Sequence, residues 1–138
     1  MAIVWAEKAL LDHGWAEAVR IETGSDGLIS KIETGAPPEG YRTGILLPAP
    51  ANCHSHAFQR AMAGLTEKRG PDPSDSFWTW REAMYGFLGQ LTPEDVEAIA
   101  AFAYMEMLET GFSAIGEFHY SHHRPDGGSY DDPAEMAQ

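Results

Sequence analysis

The chain of 138 residues contains one cysteine, Cys53, and only 9 lysines and arginines against 21 acidic residues. A single cysteine excludes an intrachain disulfide, and we expect Cys53 to be a buried, unreactive thiol. The formal net charge of −12 argues against nucleic acid or an anionic membrane as a partner, because both select clusters of basic side chains.

Long apolar runs are also missing from the sequence. No stretch approaches the roughly 18 apolar residues that a membrane-spanning helix needs, and the N-terminus lacks the basic region and apolar core of a signal peptide. We therefore expect a cytoplasmic protein. With 43% hydrophobic and 22% charged residues, the composition is that of a globular domain that can bury a core.

Residues 1–45 predict a β-rich N-terminal domain, which we expect to be a small β-sandwich-type domain. The segments 19–22 and 28–32 alternate in polarity, as half-buried strands do. Ser25-Asp26-Gly27 between them is typical of a hairpin turn. The Gly- and Pro-rich segment 35–40 indicates a linker.

Residues 46–138 predict an α/β arrangement. The apolar run over 44–52 indicates one buried strand of a parallel sheet. Aromatic and aliphatic residues at helical spacing predict a helix over 77–88. Thr92 suits the N-cap of a second helix, and Gly111 suits the position just after its end. With a strand predicted over 112–118, the order of elements implies a parallel sheet.

Two histidines, His54 and His56, follow the apolar strand one residue apart. Side chains at positions i and i+2 of an extended strand point the same way, so both imidazoles can reach one zinc or iron ion. A catalytic zinc commonly has three protein ligands and an open position. The pair is therefore half of a metal site, and a histidine pair without a metal is the alternative.

Three longer motifs around these histidines carry a family resemblance. They are NCHSHAFQRAMAGLTE at 52–67, DSFWTWR at 75–81 and EFHYSHH at 117–123. The chain resembles the N-terminal third of the amidohydrolase superfamily, and within it is closely similar to the formimidoylglutamate deiminases.

The resemblance implies that residues 46–138 are the first strands and helices of a (β/α)8 barrel, incomplete because a closed barrel takes about 250 residues. It implies one divalent metal, zinc or else iron, held by His54, His56 and ligands beyond Gln138. The implied reaction is hydrolytic deamination of N-formimidoyl-L-glutamate to N-formyl-L-glutamate and ammonia, in histidine degradation. The acid and base residues are also expected beyond Gln138.

The resemblance further implies that Gln59, Arg81 and Tyr120 bind a small substrate that carries carboxylates. Arg81 and Tyr120 would hold a carboxylate, and the planar guanidinium group suits such recognition. Each residue has an ordinary alternative as well. Gln59 can cap its loop, Arg81 can pair with Glu82 on a helix surface, and Tyr120 can pack on a loop.

Two alternatives to the deiminase assignment stay open. One is another deaminase of the superfamily that acts on a guanine- or triazine-type ring, and the other is a non-catalytic truncated fragment. We expect the chain alone to be inactive and to bind metal weakly. Exposed sheet edges favour self-association, so we expect a homo-oligomer, specifically a homodimer. For His119, His122 and His123 we expect supporting roles in a loop.

Overall fold

The computed structural model describes residues 2–66, 76–119 and 121–138. The chain forms two compact units, Met1–Ala49 and Pro50–Gln138. Strands are present in both units, whereas the two α-helices of the described ranges belong to the second. The α/β class predicted from the sequence is confirmed. In the three described ranges, no helix combines the length and apolarity needed to cross a membrane.

The described strands of the N-terminal unit form one mixed sheet in the order β3-β2-β1-β4. They are β1 (Ala2–Leu11), β2 (Gly14–Thr23), β3 (Ile29–Glu33) and β4 (Tyr41–Leu46). The predicted hairpin is confirmed, since β2 and β3 are antiparallel and the amide of Gly24 donates to the Leu28 carbonyl at 2.8 Å. The four described strands lie in a single sheet, so the second sheet of a sandwich stays a prediction.

The two faces of this sheet differ in polarity. Val4, Ile21 and Ile32 are paired across β1, β2 and β3 and share one face. Their neighbours Trp5, Arg20 and Glu33 share the other. The Arg20 guanidinium bonds the Glu33 carboxylate at 2.8 Å. Strand alternation therefore separates an apolar face from a charged one, as the polarity of 19–22 predicts.

The predicted single strand over 44–52 is wrong. The structure has two strands there, β4 and β5 (Ala51–Ser55). Pro48 and Pro50 lie between them, and proline has no N–H to donate to a sheet. β4 instead pairs in parallel with β1 of the N-terminal sheet. Its Ile45 is 63% exposed, so this segment is not the buried strand that its apolar character indicates.

The C-terminal unit has the predicted order of strand, helices and strand. Its elements are β5, a 3₁₀ helix (Ala57–Met62), α1 (Phe77–Leu88), α2 (Pro93–Glu109), β6 (Ala114–Glu117) and a final 3₁₀ turn (Glu135–Ala137). β5 and β6 are parallel neighbours. Their carboxyl ends therefore lie at the same edge of the sheet.

The ends of α2 follow the sequence signals. The Thr92 hydroxyl accepts the amide of Asp95 at 3.2 Å, while the Asp95 carboxylate accepts the amide of Thr92 at 3.0 Å. These hydrogen bonds from Thr92, partly opposed by burial, hold the pKa of Asp95 below its ordinary value. Gly111 follows the helix with a φ of +98°, which favours glycine. Both predicted helix boundaries are confirmed.

The 3₁₀ helix is packed against both α-helices. The core of the unit joins buried side chains from these three helices, from the loop between α1 and α2 and from the final 3₁₀ turn: Phe58, Met62, Met84, Leu91, Val96 and Met136. On the exposed side, Arg60 bonds the Glu106 carboxylate with two nitrogens, at 2.6 and 2.8 Å. These contacts fix the segment that directly follows His56.

The expectation of a buried Cys53 is wrong, because its side chain is exposed. Cys53 lies in β5, and the sheet that contains β5 has two strands in the described part of the chain. A sheet this narrow leaves part of β5 without a covering layer. Burial of Cys53 could not be judged from the apolar run before it.

Candidate metal centre

His54 and His56 lie at the carboxyl end of β5, with their ring centroids 5.0 Å apart and their planes at 84°. For tetrahedral zinc with Zn–N bonds of about 2.0–2.1 Å, two imidazole centroids on one ion lie about 5 Å apart. The structure therefore brings the rings together at a spacing that suits one ion. Their role as ligands stays a prediction.

The ring of His56 is held by the end of the neighbouring strand. Its Nδ1 atom lies 3.1 Å from the carbonyl oxygen of Phe118. A carbonyl oxygen only accepts hydrogen bonds, so in the neutral ring this contact favours a proton on Nδ1 and a lone pair on Nε2. Metal-binding histidines commonly donate their second ring N–H to a carbonyl or carboxylate in this way. The arrangement suits coordination through Nε2.

The backbone on both sides of His56 is also tied to β6. The amide of Phe118 donates to the carbonyl of Ser55 at 3.0 Å. The amide of Ala57 donates to the Glu117 carboxylate at 2.8 Å. Ser55 and Ala57 are both buried, each at 5% exposure. His56 is therefore held between two anchored neighbours.

Glu117 has a second, less ordinary feature. Its Oε2 atom is buried and makes no hydrogen bond of good geometry in the described part of the chain. Burial, followed by the charge of Glu117 and a hydrogen bond to its carboxylate, raises the pKa of the Tyr104 hydroxyl on α2. Tyr104 therefore offers the carboxylate a polar neighbour, which reduces the cost of burying it.

Gln59 lies on the 3₁₀ helix, three residues after His56, and is half-buried. Its side-chain amide is 3.5 Å from the sulfur of Met84 on α1. A thioether is a weak acceptor, so the Gln59 amide can give up its contact with the Met84 sulfur in favour of a stronger hydrogen bond. The position fits either the predicted substrate contact or a packing role.

Arg81 is exposed on α1 and contacts its own helix. The guanidinium carbon lies 5.8 Å from the ring centroid of Trp78 and 5.3 Å from that of Tyr85. One of its nitrogens is 3.3 Å from the Tyr85 hydroxyl. Among the described residues, no hydrogen bond joins Arg81 to His56, so the structure does not bring this predicted substrate residue into hydrogen-bond contact with that predicted metal ligand.

The remaining candidates follow β6 in the sequence. Tyr120 lies outside the described residues, so its predicted contact with substrate stays a prediction. His122 is held by a loop contact, with its Nδ1 3.1 Å from the carbonyl of Pro133. His123 pairs with Ser129 in a short bridge. These two contacts are of the loop type expected from the sequence.

A cleft of about 640 Å³ opens beside Glu117 and His119, next to α2 and the final 3₁₀ turn. Its lining within the described ranges includes neither His54 nor His56. Those ranges also contain no group of three or more histidine, cysteine or acidic side chains placed to hold a metal ion. A site at the histidine pair therefore needs further ligands from outside the described residues.

A solved structure defines the class of this fold. The chain matches the structure described as an amidohydrolase from Brucella melitensis with a TM-score of 0.90 and 51% sequence identity. The match covers 99% of this chain and 31% of that one. The α/β fold is therefore that of a segment of an amidohydrolase.

Curated relatives indicate which kinds of amidohydrolase the chain resembles in sequence. The chain is 52% identical to a formimidoylglutamate deiminase of Pseudomonas aeruginosa over 99% of its own length. Residues 1–41 match the family model "Formimidoylglutamate deiminase HutF, N-terminal domain". A 5-methylthioadenosine/S-adenosylhomocysteine deaminase of Desulforamulus reducens is 26% identical, over 86% of this chain and 25% of the relative.

The predicted resemblance is confirmed: in sequence the chain is similar to a formimidoylglutamate deiminase, and in fold it is similar to a segment of an amidohydrolase. It spans about 30% of the length of that curated relative.

Proposed function

We propose that this chain forms the first part of a formimidoylglutamate deiminase, which hydrolyses N-formimidoyl-L-glutamate to N-formyl-L-glutamate and ammonia. β5 and β6 would be the first two strands of its (β/α)8 barrel. The observation that carries the proposal is the pair His54 and His56 at the carboxyl end of β5, where barrel enzymes hold their active sites. The 52% identity to the Pseudomonas aeruginosa relative supports the choice of reaction.

The histidine pair fits a divalent cation, with zinc as the first choice and iron as the second. His54 and His56 would bind through ring nitrogens, and the Phe118 carbonyl would keep the His56 proton on Nδ1. When bound, such an ion supplies Lewis-acid activation of water near neutral pH. The other ligands, and the groups that move protons to the departing ammonia, come from residues outside this chain.

The substrate would be held by its carboxylates. Arg81 can bind a carboxylate with two parallel hydrogen bonds, and the rings of Trp78 and Tyr85 support its guanidinium group from within α1. Gln59 and Tyr120 would add hydrogen bonds from the side-chain amide and the hydroxyl. A homodimer and a cytoplasmic location, both expected from the sequence, are further parts of the proposal.

A chimeric enzyme tests the proposal. The 138 residues replace the matching segment of the Pseudomonas aeruginosa relative, and ammonia release and bound metal are measured. We expect release from N-formimidoyl-L-glutamate and no release from guanine or a triazine. The same assay on the 138-residue chain alone is expected to give no ammonia.

Matched histidine variants locate the metal. His54→Asn and His56→Asn in the chimera should each remove bound metal and activity together. His13→Asn is the control, because His13 is an exposed histidine in the N-terminal unit. Full metal content in both of the first two variants would overturn the proposed metal centre. Faster ammonia release from guanine would overturn the proposed substrate.

A further inference from the structure

We propose that Glu117 is a positioning residue that holds His56 in its metal-binding orientation by fixing the peptide bond after it. This inference rests on the proposed role of His56 as a metal ligand. It concerns this chain's own residues, so it can be tested before any metal is added.

The geometry joins Glu117 to the backbone of His56. The Glu117 carboxylate accepts the amide of Ala57 at 2.8 Å. The peptide between His56 and Ala57 is planar, so fixing the direction of that N–H fixes the ψ angle of His56, which is 76°. Glu117 therefore sets the backbone that carries the imidazole ring.

The next residue of the chain holds the ring itself. The Phe118 carbonyl lies 3.1 Å from Nδ1 of His56. Glu117 and Phe118 are neighbours at the end of β6, so one fixes the backbone of His56 and the other its side chain. Loss of the Glu117 contact would let the His56–Ala57 peptide turn, and the ring would then lose its alignment with the Phe118 carbonyl.

A carboxylate suits this task better than a neutral group. Ala57 begins the 3₁₀ helix, and the first amides of a helix have no partner within it. A hydrogen bond to an ionised acceptor is roughly twice as strong as one to a neutral acceptor. Because Ala57 is buried, water cannot replace the carboxylate.

The tautomer of His56 is the readout that a merely structural role would not change. In the ¹⁵N-histidine-labelled 138-residue chain without metal, NMR should show His56 protonated on Nδ1. Glu117→Leu should shift His56 to the Nε2-protonated form and, in the chimera, weaken zinc binding about tenfold. Glu117→Gln keeps a neutral acceptor oxygen for Ala57 and should restore both properties in part, because its hydrogen bond is weaker than that of the carboxylate.

Glu106→Leu is the matched control. Like Glu117→Leu, this substitution removes a carboxylate that anchors the 3₁₀ helix, because Glu106 bonds Arg60 of that helix. Unlike Glu117, Glu106 bonds neither Ala57 nor another backbone group next to His56 within the described ranges. We expect lower stability with an unchanged His56 tautomer. His56→Asn assigns the NMR signals of the chain and should weaken zinc binding in the chimera.

Several outcomes would overturn the inference. An Nε2-protonated His56 in the unsubstituted chain would do so, and this remains decisive if Glu117→Leu does not fold. An unchanged tautomer in folded Glu117→Leu would do so as well. Unchanged zinc binding in His56→Asn would instead sink the proposed metal centre, whatever the tautomer result.

Discussion

The Nδ1 atom of His56 lies 3.1 Å from the carbonyl oxygen of Phe118, although the two residues are 62 positions apart in the chain. Parallel pairing of β5 and β6 produces this contact, because it places both carboxyl ends at one edge of the sheet. The second strand thus orients a candidate ligand from the first. In a parallel sheet, the residues at the end of one strand can therefore orient functional side chains on the neighbouring strand as well as contribute functional side chains of their own.

Replacement of Arg81 by lysine in the chimera should weaken substrate binding. A lysine keeps the charge but cannot form two parallel hydrogen bonds with a carboxylate. Hydrogen bonds to charged groups contribute about 1.5–3 kcal/mol, so we expect KM for N-formimidoyl-L-glutamate to rise about tenfold to a hundredfold. The value of kcat should change little, since the carboxylate is remote from the reacting carbon.

Tyr85→Phe is the control for Arg81, because it removes the 3.3 Å contact with the guanidinium group but keeps the ring beneath it. Its effect on KM should be small. An unchanged KM in Arg81→Lys would mean that Arg81 is an ordinary surface residue of α1. Steady-state kinetics of ammonia release measure both variants.

Features set by neighbouring residues could be predicted from the sequence. The start of α2 was predicted from Thr92 as a suitable N-cap, and its hydroxyl indeed accepts the amide of Asp95, three residues further on. The 25–27 turn and the approach of His54 to His56 are equally local. Such signals are complete within a few residues, so no knowledge of the sheet is needed to interpret them.

Features set by distant contacts could not be predicted. The hydrogen bond from Ala57 to Glu117 joins residues 60 positions apart, and no local pattern indicates it. The exposure of Cys53 depends on what covers β5, which the sequence around it does not encode. Pro48 and Pro50 indicate a break between β4 and β5, whereas the apolar character of the same segment indicates one continuous buried strand. The two local signals conflict, and the prolines determine the structure.

Substitution of Gly40 should destabilise the N-terminal unit more than substitution of Gly27. Both have positive φ angles, +71° and +79°. A Cβ at Gly40 would collide with the Ile3 carbonyl oxygen and lie 2.8 Å from the Ile3 Cβ, whereas a Cβ at Gly27 meets no atom within 4 Å. We expect Gly27→Ala to cost about 1–2 kcal/mol and Gly40→Ala about 1–3 kcal/mol more. Urea unfolding of both variants measures the difference, and equal losses would contradict the close approach.

Removal of the Arg20 charge should destabilise the N-terminal unit in a pH-dependent way. The guanidinium group lies 2.8 Å from Glu33, 2.6 Å from Glu39 and 3.3 Å from Glu22. In Arg20→Gln the three carboxylates repel each other without a central cation. The hydrogen bond and charge of Lys31, and then the charge of Arg20, lower the pKa of Glu33.

The sign of the pH effect at Arg20 follows from these charges. As pH falls, the unsubstituted chain loses the attraction of its ionised carboxylates, while Arg20→Gln is relieved of their repulsion. The stability difference between the two should therefore be largest near pH 7 and shrink in acid. Arg42→Gln, at an exposed arginine of β4, is the control and should show a small difference at every pH. A difference that grows in acid would refute the network.

The pair formed by Arg60 and Glu106 should contribute to the stability of the C-terminal unit in a way that acid removes. The hydrogen bond from Arg60 holds the pKa of Glu106 below the ordinary value of 4.5. Burial of the carboxylate opposes this shift, and the positive charge of Arg60 adds to it. A lowered folded-state pKa stabilises the fold fully above the ordinary value, and that contribution is lost as pH falls through the lowered one. Glu106→Gln should therefore be less stable than the unsubstituted chain at pH 7, with a difference that vanishes in acid.

Thermal unfolding between acid and pH 7 measures this difference in stability. Glu109→Gln is the control, at an exposed glutamate of the same helix, and it should show no comparable loss of stability at pH 7. A pH-independent difference would mean that Glu106 acts through packing alone.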